Sequence, residues 1–264
     1  SPPPTPPVLN EVCIDYAERI KRCSFEWDNI QRTYYLKIPL QASNNNNLPL
    51  LISMHGYGGN ALSHINYTNF KNIADREGFY LIYPQGSNLP SYLGGSTHWN
   101  VGGWTSKSTT DDLGFINKVL ENVSEKYNFN ENRIYATGMS NGGYMSYALA
   151  CNMSDKIAAI ASVTGSMTND TYNDCAATRP VPVLQIHGLR DVIVPYLGNE
   201  GSKSISDVME YWAQNNSCDL EPLRAVTDYE DFAVYYDYYQ NCLNNADVEL
   251  SLIHISEPTR PRSI

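Results

Sequence analysis

The sequence predicts an α/β architecture of three layers around a mostly parallel sheet, and three observations lead there. Strand-length apolar runs recur along the chain at Leu48–Met54, residues 79–83, Ile157–Val163 and residues 181–186. Uninterrupted runs of this kind belong to strands buried on both faces of a parallel sheet. Segments of helical periodicity lie between them, which is the alternation of helices packed against a parallel sheet. A chain of 264 residues is also long enough to bury a full core as one domain.

The elements follow in order. The start, Ser1 followed by a Pro-rich string through Pro7, reads as a polyproline linker remnant covering residues 1–9, with the folded domain over residues 10–249. Residues 10–27 are mixed in character and are expected to hold a short helix bracketed by Cys13 and Cys23. Residues 33–38 alternate like an outer strand, and four asparagines at residues 44–47 form a turn before the first buried strand. A helix over residues 69–77 is stopped by Gly78. Residues 87–107, rich in Gly, Ser and Trp, make a long loop of the kind that shapes sites. Asp111 and Asp112 open a helix carrying Phe115, Ile116, Val119, Leu120 and Val123. At that position the two acids are expected to cap the helix and complement its dipole, not to act as a catalytic carboxylate pair. Residues 204–214 read as a further helix, and residues 233–239 and 247–252 as strands. No internal repeat is present.

Composition narrows the class of protein. Hydrophobic residues make up 42% and charged residues 17%, as in a globular domain. A net charge of −10 argues against a nucleic-acid surface, and no apolar run approaches the ~20 residues of a membrane span. Six cysteines occur at Cys13, Cys23, Cys151, Cys175, Cys218 and Cys242, none in a C-x-x-C pair, so no metal site is expected. An even set of this kind reads as a disulfide framework in an exported protein, secreted or periplasmic, with sequence neighbours paired.

The strongest chemical signal is G-x-S-x-G at residues 138–142, centred on Ser140, with β-prone residues 133–137 before it and a helix-compatible run after it. Strand, sharp turn and helix are the setting in which a serine hydroxyl is held out as a nucleophile. A serine nucleophile needs a base, an acid to orient the base, and donors for the oxyanion. Asp191, just past the strand at residues 181–186, is the candidate acid. The backbone N–H groups of Asn141 and Tyr57 are the candidate oxyanion donors, Tyr57 lying in the loop after Met54. His55, His64, His98 and His187 all precede the acid, and His187, at a strand end, reads as a packed structural residue. Tyr57, Trp99, Trp104 and Tyr144 either line an aromatic acyl pocket or are core and loop aromatics in a chain with 20 tyrosines.

In their order, residues 50–60, Tyr83-Pro84-Gln85-Gly86, Trp99-Asn100, residues 111–116, residues 138–145, His187-Gly188 through Asp191, and Val194-Pro195-Tyr196 resemble blocks of a known group. The chain is similar to the secreted polyhydroxybutyrate-depolymerase-like and feruloyl-esterase-like carbohydrate esterases of the α/β-hydrolase superfamily. The resemblance covers residues 33–249. It implies ester hydrolysis by Ser140 with Asp191 as triad acid, without metal or organic cofactor. The implied substrates are ester-bearing polysaccharide, an aromatic acyl ester or a polyester.

The chain departs from this group after Glu249. There the group continues into a Gly-Gly-Gly-His-x-Trp-Pro-Gly type of segment that supplies the histidine. Here residues 250–264 instead resemble the translation of a sequencing adapter, and are expected to be a non-native tail. By chain order alone His254, the only histidine after Asp191, stands in as base, although no glycine run precedes it to turn its ring back. The chain as written is therefore expected to be nearly inactive. The competing reading is a non-catalytic carbohydrate-binding or scaffold module on the same fold.

Overall fold

Strand formation starts in the hairpins at the N-terminal side of the chain. A computed structural model describes residues 11–42 and 47–255. The expected linker at residues 1–9, most of the turn at residues 44–47 and the tail from residue 256 lie outside the described residues. Strands β1 (Val12–Ala17), β2 (Ile20–Trp27) and β3 (Ile30–Lys37) form an antiparallel meander. The β2–β3 turn places Asp28 and Asn29 both at positive φ, 52° and 58°, the backbone of a tight hairpin whose twist matches its strands. The short helix expected in residues 10–27 is thus two strands. Cys23 and Phe25 turn to one buried face of β2 and Ile20 to the other, Cys13 stands directly opposite Cys23, and pairing with β1 and β3 fixes the extended backbone.

The parallel core follows as β4 (Leu48–Met54), the helices α1 (Ala61–Tyr67) and α2 (Phe70–Glu77), and β5 (Tyr80–Pro84). The long loop expected at residues 87–107 carries a two-stranded ribbon, β6 (Ser87–Asn88) and β7 (Thr97–His98). Then come α3 (Asp112–Ser124), β8 (Phe129–Met139), α4 (Asn141–Asn152), β9 (Ile157–Val163), α5 (Asn169–Asn173), β10 (Val183–Gly188) and α6 (Ile205–Asn215). Strands β11 (Leu223–Asp228), β12 (Phe232–Tyr239) and β13 (Val248–Ile255) complete the chain. Eleven strands form one sheet in the order β1-β2-β3-β5-β4-β8-β9-β10-β13-β12-β11. Its centre, β5-β4-β8-β9-β10-β13, is parallel, and both wings are antiparallel.

Alternation along β4 and β5 sends Leu50, Ile52, Met54, Tyr80 and Ile82 to the face covered by α3, α4 and α6, and Leu81 and Tyr83 to the face under α1 and α2. The layers are unequal, since α1 and α2 cover only the β3–β5–β4 side. Strand β13 runs across residue 249 because Leu250 and Leu252 continue its buried alternation. The three disulfides join Cys13 to Cys23, Cys151 to Cys175 and Cys218 to Cys242, the sequence-neighbour pairing expected. No helix among the described residues is long and apolar enough to cross a membrane.

The two acids at the start of α3 have different tasks. Asp111 caps the helix, its Oδ1 accepting from the N–H of Gly114 at 2.8 Å. Asp112 does not cap. It is buried in an ion pair with Arg32 of β3 at 2.5 Å and also accepts from the N–H of Asn100 at 2.7 Å. The Arg32 guanidinium lies 3.9 Å from the centre of the Phe115 ring. Removing one member of a buried pair strands the other charge. Asp112→Ala should therefore lower the free energy of urea unfolding by about 3–5 kcal/mol, whereas Asp111→Ala, which loses one cap, should cost about 1 kcal/mol.

Candidate active site

Ser140 sits where β8 passes directly into α4, with φ 52° and ψ −119°. A non-glycine residue in that region is strained by order ~1–3 kcal/mol and persists only when its surroundings dictate it. Here they do. A Cβ on Gly138 would fall 2.3 Å from the carbonyl of Gly142, and one on Gly142 would fall 2.3 Å from the carbonyl oxygen of Met54. The turn is as tight as its backbone allows. The Ser140 N–H donates to the Val163 carbonyl at 2.8 Å, fixing the elbow to the end of β9. Ser140 occupies the N-cap position of α4, yet its hydroxyl makes no capping bond and faces the cleft.

The loop after β4 touches this elbow, since a Cβ on Gly56 would stand 3.5 Å from Ser140 Cβ. Gly58 N–H donates to Thr97 O and Gly59 N–H to Gly56 O. The Tyr57 N–H donates to no backbone acceptor among the described residues, and Asn141, as the first residue of α4, has no intrahelical acceptor for its own. Both N–H groups are thus without a backbone acceptor, and that of Asn141 lies at the N-terminus of α4. The Asn141 side chain is committed elsewhere. It accepts from Trp99 N–H at 2.7 Å and donates to Trp99 O at 3.1 Å, while the Trp99 indole donates to His55 O at 2.9 Å. Trp99 is fully buried, so its part is to tie the long loop to the elbow and the loop after β4; it does not line the cleft.

A cleft of about 350 Å³ opens at Ser140, lined by the aromatics Tyr57, Trp104 and Tyr144 together with Ile193, Val194, Asn199 and Ser202. The aromatic wall is continuous: Tyr57 meets Trp104 edge-on at 5.8 Å, and Trp104 meets Tyr144 edge-on at 5.7 Å. Tyr57, Trp104 and Tyr144 therefore line the cleft beside Ser140, and Trp99 does not. The rest of the lining comes from the segment between β10 and α6, in which Asp191 and Val194-Pro195-Tyr196 are read from sequence and Ser202 is not. Nothing in its composition singles out Ser202.

Asp191 lies in the turn just past β10. Its Oδ1 accepts from the N–H groups of Ile193 and Val194 at 2.8 and 2.9 Å, which holds the carboxylate at the carboxyl end of the sheet. The five histidines are all within the described residues, and none hydrogen-bonds Ser140 or Asp191. His55 Nδ1 donates to Gly56 O, and its Nε2 accepts from Gly86 N–H at 3.0 Å. His98 bridges Ser87 O and the Ser108 hydroxyl. His64 pairs with the Ser53 hydroxyl at 2.9 Å. His187 bridges the Gln185 amide and Val194 O, bracing the Asp191 turn, which is the structural part read for it from sequence. His254 lies within β13 opposite Ala233, beside Tyr235, its Nδ1 buried without a partner among the described residues. It is not among the residues lining the cleft.

Burial pushes the imidazoles of His55, His98 and His187 below their ordinary range and takes His64 down to about 4. These rings are therefore neutral in the fold at neutral pH. Among the described residues, the one group of three metal-type ligands is Glu11 with Cys13 and Cys23, whose sulfurs are already bonded to each other.

The family described as phospholipase/carboxylesterase matches residues 38–231, more than half of the chain. The bifunctional acetylxylan esterase/xylanase XynS20E of Neocallimastix patriciarum is 30% identical over 155 residues, covering 59% of this chain and 21% of that protein. Feruloyl esterase B of Piromyces equi is 27% identical over 234 residues, covering 84% of this chain and 42% of that protein. The chain thus spans less than half the length of these two relatives. Among solved structures, the acetyl xylan esterase from Aspergillus awamori superposes with a TM-score of 0.60 at 14% identity, over 86% of this chain and 90% of that one, a likeness of fold.

Two outcomes follow from this geometry. Gly142→Ala forces a Cβ against backbone and should lower unfolding free energy by at least ~1–3 kcal/mol, while Gly188→Ala, whose nearest neighbour is 4.0 Å away, should stay within about 0.5 kcal/mol in the same urea titration. The folded pKa of His64, about 4, lies below the 6.5 of a free imidazole. Between those values the unfolded chain binds a proton the folded one does not, so stability should be full above pH 6.5 and fall towards pH 4. Urea midpoints measured across that window should drop less steeply for His64→Gln than for the wild type.

Proposed function

This chain belongs to the phospholipase/carboxylesterase family of α/β hydrolases, and from that premise we propose that it is built as a serine carboxylesterase for esters carried on plant-type polysaccharide. The observation that carries the reading is the strained Ser140 at the β8–α4 turn, with the Tyr57 and Asn141 N–H groups beside it and an aromatic cleft in front. The polysaccharide ester is suggested by the relatives, an acetylxylan esterase/xylanase and a feruloyl esterase. Three disulfides favour an oxidising, extracellular or periplasmic setting.

In this reading Ser140 Oγ attacks the ester carbonyl carbon and the carbonyl oxygen takes the negative charge towards the Tyr57 and Asn141 N–H groups. The C–O bond to the alcohol breaks, leaving an acyl group on Ser140, and water then hydrolyses that ester. The serine proton needs an acceptor, and none of the five histidines stands at hydrogen-bond distance from it. Oxyanion stabilisation and binding alone leave a residual acceleration of about 10³–10⁴ over water. The 264-residue chain should accordingly turn over p-nitrophenyl acetate slowly, and Ser140→Ala should leave that rate within a few-fold, because a serine without its base adds little to it.

The decisive comparison replaces the residues after Glu249 with a glycine-rich, histidine-bearing segment. Turnover of p-nitrophenyl acetate or methyl ferulate should then rise by at least about 10²-fold, the usual worth of a positioned base. If it does not rise while the replaced chain remains folded, the esterase reading fails. The non-catalytic carbohydrate-binding module, which the lack of a base near Ser140 favours, then takes its place.

A further inference from the structure

Asparagine followed two residues later by serine or threonine, with no proline between, is the acceptor pattern for N-linked glycosylation of an exported chain. Five such triplets occur, beginning at Asn66, Asn122, Asn152, Asn169 and Asn215. A glycosyl transferase reads them before the chain folds, so the fold decides which modified chains can mature. Asn122 is closed to a sugar. It is 6% exposed on α3, and its Nδ2 donates to Glu11 Oε1 at 2.9 Å. A sugar on that nitrogen would be buried with its hydroxyls unpaired, at a cost the fold cannot recover. Asn152, Asn169 and Asn215 also commit the amide nitrogen, donating to Ala148 O at 2.8 Å, Glu200 O at 2.9 Å and Asn216 Oδ1 at 3.1 Å.

Asn66 combines exposure with an uncommitted amide. It stands in the last turn of α1, whose buried residues Ala61, His64 and Ile65 face the sheet, and it is itself exposed. Its side chain makes no hydrogen bond among the described residues. Tyr67 beside it is 75% exposed, so the surface around the amide is open. Thr68, the third residue of the triplet, ends the helix in extended backbone, and its Oγ1 donates to His64 O at 3.0 Å. The fold thus takes up the threonine hydroxyl and leaves the asparagine amide free. Asn66 lies six residues beyond Asn60, the N-cap of α1, which is about 9 Å along the helix axis. A glycan there stands at the far end of α1 from the loop that presents Tyr57 and leaves the Ser140 cleft open.

We infer that Asn66 is an N-glycosylation site of this chain when it is exported through a secretory pathway that transfers oligosaccharide, and that Asn122 is kept bare by the fold. In that step Asn66 Nδ2 bonds to C1 of the first sugar of a lipid-diphosphate-linked oligosaccharide. The bond from C1 to the diphosphate oxygen breaks, the lipid diphosphate leaves, and the amide nitrogen gives up one proton. Three disulfides, which form in an oxidising compartment, support the route. The inference is independent of the esterase reading, and its test reads mass and not turnover.

Secretion of the full chain from a yeast host, with peptide mapping before and after peptide-N-glycosidase treatment, reads the sites directly. Asn66 should carry a glycan and become Asp on enzymatic release, while Asn122 should be recovered as Asn. Asn66→Gln and Thr68→Val should each lose one step of glycan-dependent gel mobility, and Thr68→Ser, which keeps the acceptor pattern, should retain it. Recovery of Asn66 unmodified from the secreted wild type, an unchanged mobility of Asn66→Gln, or a glycan on Asn122 would each overturn the assignment.

Discussion

The close contact between the first turn of α4 and the carboxyl ends of β4 and β9 is the constraint on which the rest of this structure depends. Gly138 packs on Gly142, Gly142 on the Met54 carbonyl, and Gly143 on Gly165, each with less room than a methyl group needs. Parallel register supplies the setting, with Gly138 between Met54 of β4 and Ser162 of β9. Only in that crowding does Ser140 keep a positive φ with its hydroxyl uncommitted. Asn141, the next residue, then carries the constraint outward through Trp99 to His55 and the loop that presents Tyr57. The Ser140 elbow, the loop after β4 and the aromatics that line the cleft are one connected body of contacts.

The histidines serve that body as struts. His55 and His98 secure the loops around Gly86 and Ser87, and His187 braces the Asp191 turn. Burial keeps such rings neutral, which suits a hydrogen-bonding strut with one donor and one acceptor. The same commitments take them out of contention as a general base, because a ring with both nitrogens bonded to the fold has no nitrogen left for a serine proton.

Much of the fold was legible because its signals are local. Continuous apolar runs marked β4, β5, β9 and β10, Gly78 ended α2, and glycines at residues 138 and 142 marked the elbow. The N-terminal hairpin was misread because residues 10–27 lack a clean period, and its strands are fixed by pairing across β2 to Tyr34 and Leu36 on β3. Asp112 looked like a capping acid because Arg32, its partner, lies 80 residues earlier. Trp99 looked like a pocket residue because an exposed and a buried tryptophan are identical in sequence. Ser202 itself belongs to no local pattern.

The sequence by itself determined the class of sheet, the serine on its turn, Asp191 just past a strand end and the cysteine framework, since each depends on residues near one another in the chain. Tertiary structure decided which aromatics face the cleft, which residues complete its lining, and where every histidine ends up. Those outcomes depend on side chains brought together from distant segments, and on the competition among them for burial and hydrogen bonds. Ser140 could be recognised from five residues, whereas whether anything stands ready to take its proton is a property of the whole packed chain.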